Sequence, residues 1–270
     1  MTIEIPVEDL NELQTAKYLL ENPGLAAKLT NLIGRPVEKG MKFLPKKWND
    51  RIGDVTRAAL LKASNAAIFT MKNEPGKEPS NRTHKTSAAI SGAIGGAFGL
   101  GAIAVELPIS TTIMLRSIAD IARSHGESLS DLETKLACLE VFALGGNAKS
   151  DDGTESGYYA IRMAMANSIS EAIQHLAKKK VNDAGAPALV RLLSEIAKKF
   201  GIQVTEKSAL QAVPVVGAVS GAIINAVFMD HFQDMARGHF TVRKLERKHG
   251  KDMIKKHYLE LPKKVKKIKS

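Results

Sequence analysis

The chain has 270 residues, of which 44% are hydrophobic but only 5% aromatic, so aliphatic side chains must build the core and a β-sandwich is disfavoured. The single cysteine, Cys138, excludes an intrachain disulfide and fits a reducing compartment; we interpret it as an inert core residue. The net charge is +11, and residues 237–270 carry +10 of it, since this segment contains thirteen Lys and Arg but only three acidic residues.

The first third of the chain predicts helices separated by short breaks. A capping-box pattern at Asp9–Glu12 opens a helix that ends at Asn22-Pro23-Gly24. A short helix covers Leu25–Ile33, and apolar residues on one face predict another from near Trp48 to Met71. Residues 72–83 combine proline, glycine, asparagine and charges, which predicts a loop and a boundary.

Two long uncharged stretches, Thr86–Val105 and Ser208–Met229, are rich in Gly, Ala and Ser. A stretch of about 20 uncharged residues can span a bilayer, but these small residues give a weak hydrophobic drive. The stretches are therefore either membrane-active helices or the tightly packed centre of a helical domain. Small residues four apart allow close helix approach, so we expect the two stretches to pack together through Gly92, Gly96, Gly217 and Gly221.

The rest of the chain also predicts helices. Pro108 is expected to kink or end the helix of the first stretch, while Gly126 and Gly250 are expected just past helix ends. Residues 258–270 are expected to be frayed. The expected helices are Ile109–Ser124, Ser130–Leu144, Tyr158–Asn182, Pro187–Phe200, a segment from Thr205 to Pro214, and Val215–Lys248. The sequence thus predicts an all-α, compact multi-helix domain built around two glycine-rich apolar hairpin segments.

Several blocks in this order resemble the EcsC family: Gly92–Gly101, Glu106-Leu-Pro108, Leu115–Gly126, Pro214–Asn225 and Ala236–Arg247. The resemblance runs from near Asp50 to Gly250, and the family usually has Asp where this chain has Glu106. It implies a bacterial, cytoplasmic or inner-membrane protein, because the type member is encoded beside the components of an ABC transporter. It supplies no catalytic residue. We therefore divide the chain into an N-terminal helical segment (1–72), an EcsC-like core (84–250) and a basic tail (251–270).

The basic tail indicates attraction to anionic lipid, with Lys263, Lys264, Lys266, Lys267 and Lys269 as membrane anchors. The N-terminal sequence has no basic and apolar signal pattern, so we expect a cytoplasmic protein, peripheral on the inner membrane or conditionally inserted in it. The favoured function is non-enzymatic: binding of anionic lipid or support of an inner-membrane ABC transporter. Nucleic-acid binding through the tail is the disfavoured alternative, because Tyr258 is its single aromatic residue.

Few residues suggest chemistry. Glu106 stands between apolar runs and needs a partner, for which Arg116 is the candidate. An anion or lipid-headgroup site is expected at Arg116, Arg237, His239 and Arg243. The enzymatic alternative is a hydrolase acting on a lipid-like substrate with Glu106 and His239. No cofactor motif is present, and Asp230, His231, Asp234 and His239 fan around one helix, so no metal site is expected.

Overall fold

A computed structural model describes residues 5–21, 24–33, 37–65, 103–146, 157–179, 187–212 and 218–262. Every regular element in these ranges is helical and none is a strand, which confirms the all-α prediction. The helices are α1 (Val7–Glu21), α2 (Leu25–Ile33), α3 (Val37–Met41), α4 (Trp48–Ala63), α5 (Ile103–Ser124), α6 (Leu132–Glu140), α7 (Gly157–Lys179), α8 (Pro187–Gln211), α9 (Ala218–His249) and α10 (Lys251–Glu260); a 3₁₀ turn, Val141–Ala143, follows α6.

Helix α9 is the central element of the fold. Its 32 residues contact α1, α2, α5, α8 and α10 as well as the 3₁₀ turn. A group of phenylalanines packs where these elements meet, with ring centroids 4.9 to 6.0 Å apart: Phe142, Phe200, Phe228 and Phe232. Cys138 is also fully buried, and burial raises the pKa of its thiol, as an inert core residue requires.

Helix α1 lies close against α9 because Gly238 has no side chain. A Cβ at Gly238 would lie 2.6 Å from Leu20 Cγ, so the close approach of the two helices depends on this glycine. The N-terminal segment is therefore packed onto the same hydrophobic core as the rest of the described chain.

Two expected helix ends and the expected fraying at Tyr258 are wrong. Helix α5 continues through Pro108, because only the carbonyl of Ala104 loses its amide donor, and Ala104 lies on the exposed side, where water can replace that donor. Helix α8 continues through Gly201, which is buried against Thr56 of α4 rather than ending the helix. Tyr258 is not in a frayed segment but is a fully buried residue of α10.

The described part of the second uncharged stretch belongs to the core. It is divided between α8 and α9, and Ala209, Leu210, Ile224 and Phe228 are buried there. None of the helices in the described ranges is both long and apolar enough to cross a bilayer. The expected packing of Gly92 and Gly96 against Gly217 lies outside the described residues, as do the tail lysines, the 72–83 boundary and the side-chain environment of Gly221.

Candidate functional site

Glu106 is a buried carboxylate that is fully paired. Lys207 of α8 donates to both of its oxygens at 3.0 Å, and Asn225 Nδ2 of α9 donates to Oε1 at 2.9 Å. Burial opposes ionisation, but the charge of Lys207 and the hydrogen bonds together outweigh it and lower the pKa of Glu106. The carboxylate therefore stays charged and joins α5, α8 and α9.

The expected pairing of Glu106 with Arg116 is wrong. Both residues lie on the uninterrupted helix α5, ten residues apart, which separates them by about 15 Å along the axis. Arg116 is on the exposed side of α5. A partner across a hairpin was expected only because Pro108 was expected to break this helix.

His239 lies at the centre of a second buried polar cluster. The hydroxyl of Tyr158 is 3.1 Å from His239 Nδ1, and Glu140 Oε2 is 3.8 Å from His239 Nε2. Burial, together with the nearby charges of Arg162 and Arg243, holds the pKa of His239 well below its ordinary value. Burial also raises the pKa of Glu140 to about 7. Because His239 is neutral, it makes no ion pair with Glu140.

This cluster continues toward the surface through Arg162 and Glu246. Arg162 donates two hydrogen bonds to the Glu246 carboxylate, at 2.6 and 3.0 Å, and the Tyr159 hydroxyl donates a third at 3.2 Å. Fork-to-fork pairing of this kind fixes both side chains and links α7 to α9. Glu246 then forms part of the wall of a cleft.

That cleft has a volume of about 380 Å³ and is lined by Thr134 and by charges of both signs: Glu127, Asp131, Glu133, Arg243, Glu246, Arg247 and Lys251. Arg243 donates to Glu127 at 2.9 Å and to Glu133 at 3.3 Å, and Arg247 also pairs with Glu127. Since carboxylates already neutralise both guanidinium groups, the cleft offers little attraction to an anion.

The structure does not gather all four predicted anion-binding residues at one site, although the charge of Arg243 acts on His239. Arg237 pairs with Asp234 at 3.0 Å. It lies on α9 two residues before the fully buried His239, so its side chain leaves the helix on roughly the opposite face. Glu106 and His239 are also far apart, because Asn225, which contacts Glu106, precedes His239 on α9 by fourteen residues, or about 21 Å. One substrate could not contact both proposed catalytic groups.

His231 is a third buried polar group, and it has a strongly apolar environment. Both ring nitrogens are buried and have no hydrogen-bond partner among the described residues, and burial, with a contribution from Lys28, lowers the pKa of His231 to about 3. Its ring packs on Phe232, with centroids 5.2 Å apart. In the part of the chain that the structure describes, no three His, Cys, Asp or Glu side chains are grouped in a way that suits a metal ion.

A surface feature that sequence reasoning missed runs from the last residue of α3 to the residue before α4. We call residues 41–47, Met-Lys-Phe-Leu-Pro-Lys-Lys, the 41–47 loop. Met41 and Phe43 are 43% and 53% exposed, and Lys42, Lys46 and Lys47 are exposed as well. The mixture of lysines and apolar residues was a signal in the sequence, but nothing there showed which apolar residues would remain at the surface.

The family model described as the EcsC protein family matches residues 8–245. This chain belongs to the EcsC protein family. The match begins well before Asp50, so α1, α2 and α3 are part of the family region. No curated protein and no solved structure matches the chain.

Within this EcsC protein, much of the basic charge of the last long helix is used in ion pairs. Lys244 lies 2.9 Å from Glu12, and Lys248 lies 2.7 Å from Asp9, so both hold α1 against α9. Arg243 and Arg247 hold the segment that contains Glu127. These bases are therefore structural, and the charge excess of residues 237–270 overstates the number of cations that remain for a partner.

Proposed function

We propose that this EcsC protein is a non-enzymatic peripheral membrane protein that binds anionic lipid. One observation carries the proposal. Two short segments, 41–47 and 263–269, combine several lysines with apolar residues and contain no acidic residue. Such segments bind anionic membranes through both charge attraction and burial of apolar surface. Binding of this kind would place the protein at the inner membrane, where the transporter support that the family resemblance implies would operate.

The ion pairs of the core support this choice of segments. The bases of α9 are paired with acids of α1 and of the segment around Glu127, whereas the lysines of the 41–47 loop make no ion pair with any described residue. Unpaired surface lysines keep their attraction for lipid phosphates, at about 1 kcal/mol for each lysine near an anionic surface.

The buried polar clusters support a non-enzymatic role. Glu106 is held by Lys207, and His239 is fully buried and neutral about 21 Å away along α9. A hydrolase would need these groups at one accessible position, where they could contact the same substrate. The enzymatic alternative would therefore require different residues from the two that suggested it.

The test is sedimentation of the full chain with vesicles of phosphatidylcholine alone or with added phosphatidylglycerol, at low and high salt. We expect binding only to the anionic vesicles, weakened by salt because screening shortens the range of the attraction. Replacing all five lysines of residues 263–269 with Gln should weaken binding at least about 100-fold. The matched control replaces five bases that lie outside both segments, Arg57, Lys62, Arg191, Lys244 and Lys255, with Gln.

Equal binding to neutral and anionic vesicles, or no binding to either, would contradict the proposed function. Double-stranded DNA added as a competitor addresses the nucleic-acid alternative. Displacement of the protein from vesicles by DNA at much lower phosphate concentration than lipid, with a steep salt dependence, would favour that alternative instead.

A further inference from the structure

We infer that the 41–47 loop is the part of the protein that enters the lipid surface, with Met41 and Phe43 among the acyl chains and Lys42, Lys46 and Lys47 at the phosphates. This inference rests on the proposed function and names a site for it in the folded domain, separate from the tail lysines. The ligand is the anionic bilayer surface itself.

The 41–47 loop is a fixed protrusion because both of its ends are anchored on α8. Gly40 packs against the backbone carbonyl of Ala209, where a side chain on Gly40 would not fit. At the other end, Trp48 Nε1 donates to Thr205 Oγ1 at 3.1 Å. Ala209 and Thr205 are one turn apart on α8, so the two ends of the loop are held close together on the same helix.

The loop backbone is folded into turns that expose its apolar side chains. The amide of Phe43 donates to the Gly40 carbonyl at 3.0 Å, and the amide of Leu44 donates to the Met41 carbonyl at 3.2 Å. Leu44 packs against the hydrophobic core, whereas Met41 and Phe43 point away from it. Folding therefore leaves two large apolar side chains in water, at a position where a membrane could bury them.

Helix α8 adds a third exposed apolar residue beside the loop. Ile202 is 56% exposed and lies three residues before Thr205, about 4.5 Å along the axis and on nearly the same face. It is thus next to the Trp48 anchor. Ile202 therefore adds exposed apolar surface on the helix that anchors the loop.

The charges around this apolar surface indicate an anionic bilayer rather than a neutral protein partner. Lys42, Lys46 and Lys47 lie among the apolar residues of the loop, and Arg51, Lys198 and Lys199 are exposed on the two helices that hold it. None of these six cations makes an ion pair with a described residue. Apolar tips surrounded by cations match the layered chemistry of a bilayer, in which phosphates surround the acyl region.

The experiment places a tryptophan at the tip of the loop in the full chain. Phe43→Trp is compared with Tyr18→Trp, since Tyr18 is 42% exposed and belongs to α1, which packs mainly against α9 rather than against α8, the helix that anchors the loop. Both are mixed with vesicles that contain phosphatidylglycerol and brominated lipid. We expect the added fluorescence of Trp at position 43 to shift to shorter wavelength and to be quenched, and that of Trp at position 18 to remain unchanged.

A second pair of variants measures the contribution of the loop to binding. Met41→Ser with Phe43→Ser should weaken binding to anionic vesicles about tenfold, because it removes the apolar surface that the membrane buries. The control, Tyr18→Ser with Met163→Ser, removes comparable exposed apolar surface elsewhere and should bind like the wild type.

The outcomes separate the inference from the proposed function. If the wild type binds anionic vesicles while Trp at position 43 is unquenched and the loop variant binds normally, the loop assignment is overturned and lipid binding stands. If the wild type fails to bind anionic vesicles, the proposed function is contradicted, and the loop assignment with it.

Discussion

Lys207 lies 3.0 Å from both carboxylate oxygens of Glu106, and both side chains are almost completely buried. The ammonium group also lies 5.0 Å from the centre of the Phe228 ring. The pair therefore joins α5, α8 and α9 at a place where water cannot replace either partner. An ion pair in such a position fixes the arrangement of the helices, because neither charge is tolerated there alone.

Removing Lys207 should destabilise the protein severely. We expect Lys207→Met to lower the free energy of unfolding at pH 7 by about 3–5 kcal/mol, because it leaves the Glu106 carboxylate buried without a cation. Adding Glu106→Gln should recover part of this loss, since the charge is removed while Gln can still bond Asn225. Chemical denaturation followed by circular dichroism measures both changes. Arg191→Ala, which breaks an exposed pair with Glu171, is the control and should cost no more than about 1 kcal/mol.

The same pair predicts a pH dependence. The pKa of Glu106 is lower in the folded protein than its ordinary value of 4.5, so its contribution is present above that value and is lost as the pH falls through the folded pKa. In Lys207→Met the remaining burial should raise the pKa, so the variant should be closest to the wild type at acidic pH. A stability difference that is equal at pH 7 and pH 4 would contradict this explanation.

The contribution of Glu140 to stability should depend on pH in the opposite direction to that of Glu106. Burial raises its pKa from 4.5 to about 7, so the folded protein binds more protons than the unfolded chain between these values. The contribution of Glu140 is complete below about pH 4.5 and is lost as the pH rises through 7. Glu140→Gln should therefore gain up to about 3 kcal/mol relative to the wild type between pH 5 and pH 8. Glu171→Gln is the exposed control, and parallel curves for wild type and Glu140→Gln would refute the prediction.

Local signals in the sequence identified most helices and some of their ends. Gly126 and Gly250 were placed after helix ends, and they have φ values of +80° and +92°, which favour glycine. Pro108 and Gly201 were misread because the same residue types can also lie within a helix. A proline removes only one hydrogen bond from a helix, and where the freed carbonyl is exposed water can replace it. A buried glycine allows two helices to approach closely.

The partners of the buried polar residues could not be predicted from local sequence patterns. Glu106 was identifiable because a lone carboxylate between apolar runs needs a partner. The partner of Glu106 could not be identified, because Lys207 is 101 residues away and contacts Glu106 only after α5 and α8 have packed together. The contact between His239 and Tyr158 spans 81 residues for the same reason. Spacing within a helix predicts which face a residue lies on, but not which helix covers that face.

Gly145 should not tolerate a side chain. Its φ is +75°, and a Cβ there would lie 2.5 Å from His231 Cε1 and 2.7 Å from Met235 Sδ. Gly145→Ala should lower the free energy of unfolding by about 2–4 kcal/mol, from backbone strain and overlap with the His231 ring. Gly250→Ala is the matched control, since it also has positive φ but open space around it, and should cost about 1–2 kcal/mol. Equal losses would mean that overlap with His231 contributes nothing.

Tyr258 should be required for docking of α10. Its ring is fully buried, with its centroid 5.5 Å from Tyr158 and 5.1 Å from Tyr159, and Lys17 donates to its backbone carbonyl at 2.6 Å. Tyr258→Ala removes the aromatic contacts, while the bond to the carbonyl alone fixes only the end of the helix. We expect the amides of residues 251–260 to exchange with solvent much faster in this variant while those of α9 stay protected.

Hydrogen exchange followed by mass spectrometry of peptides from α10 and α9 measures this difference. Leu259→Ala is the control, because Leu259 is 38% exposed and neighbours Tyr258 on the same helix. Since residues 263–269 follow α10 directly, Tyr258→Ala should also weaken binding to anionic vesicles if the docked helix orients these lysines. Unchanged exchange in Tyr258→Ala would show that the bonds of Lys17 hold α10 without the aromatic cluster. Faster exchange with unchanged vesicle binding would show that the lysines act without a fixed orientation, as a purely electrostatic tail would.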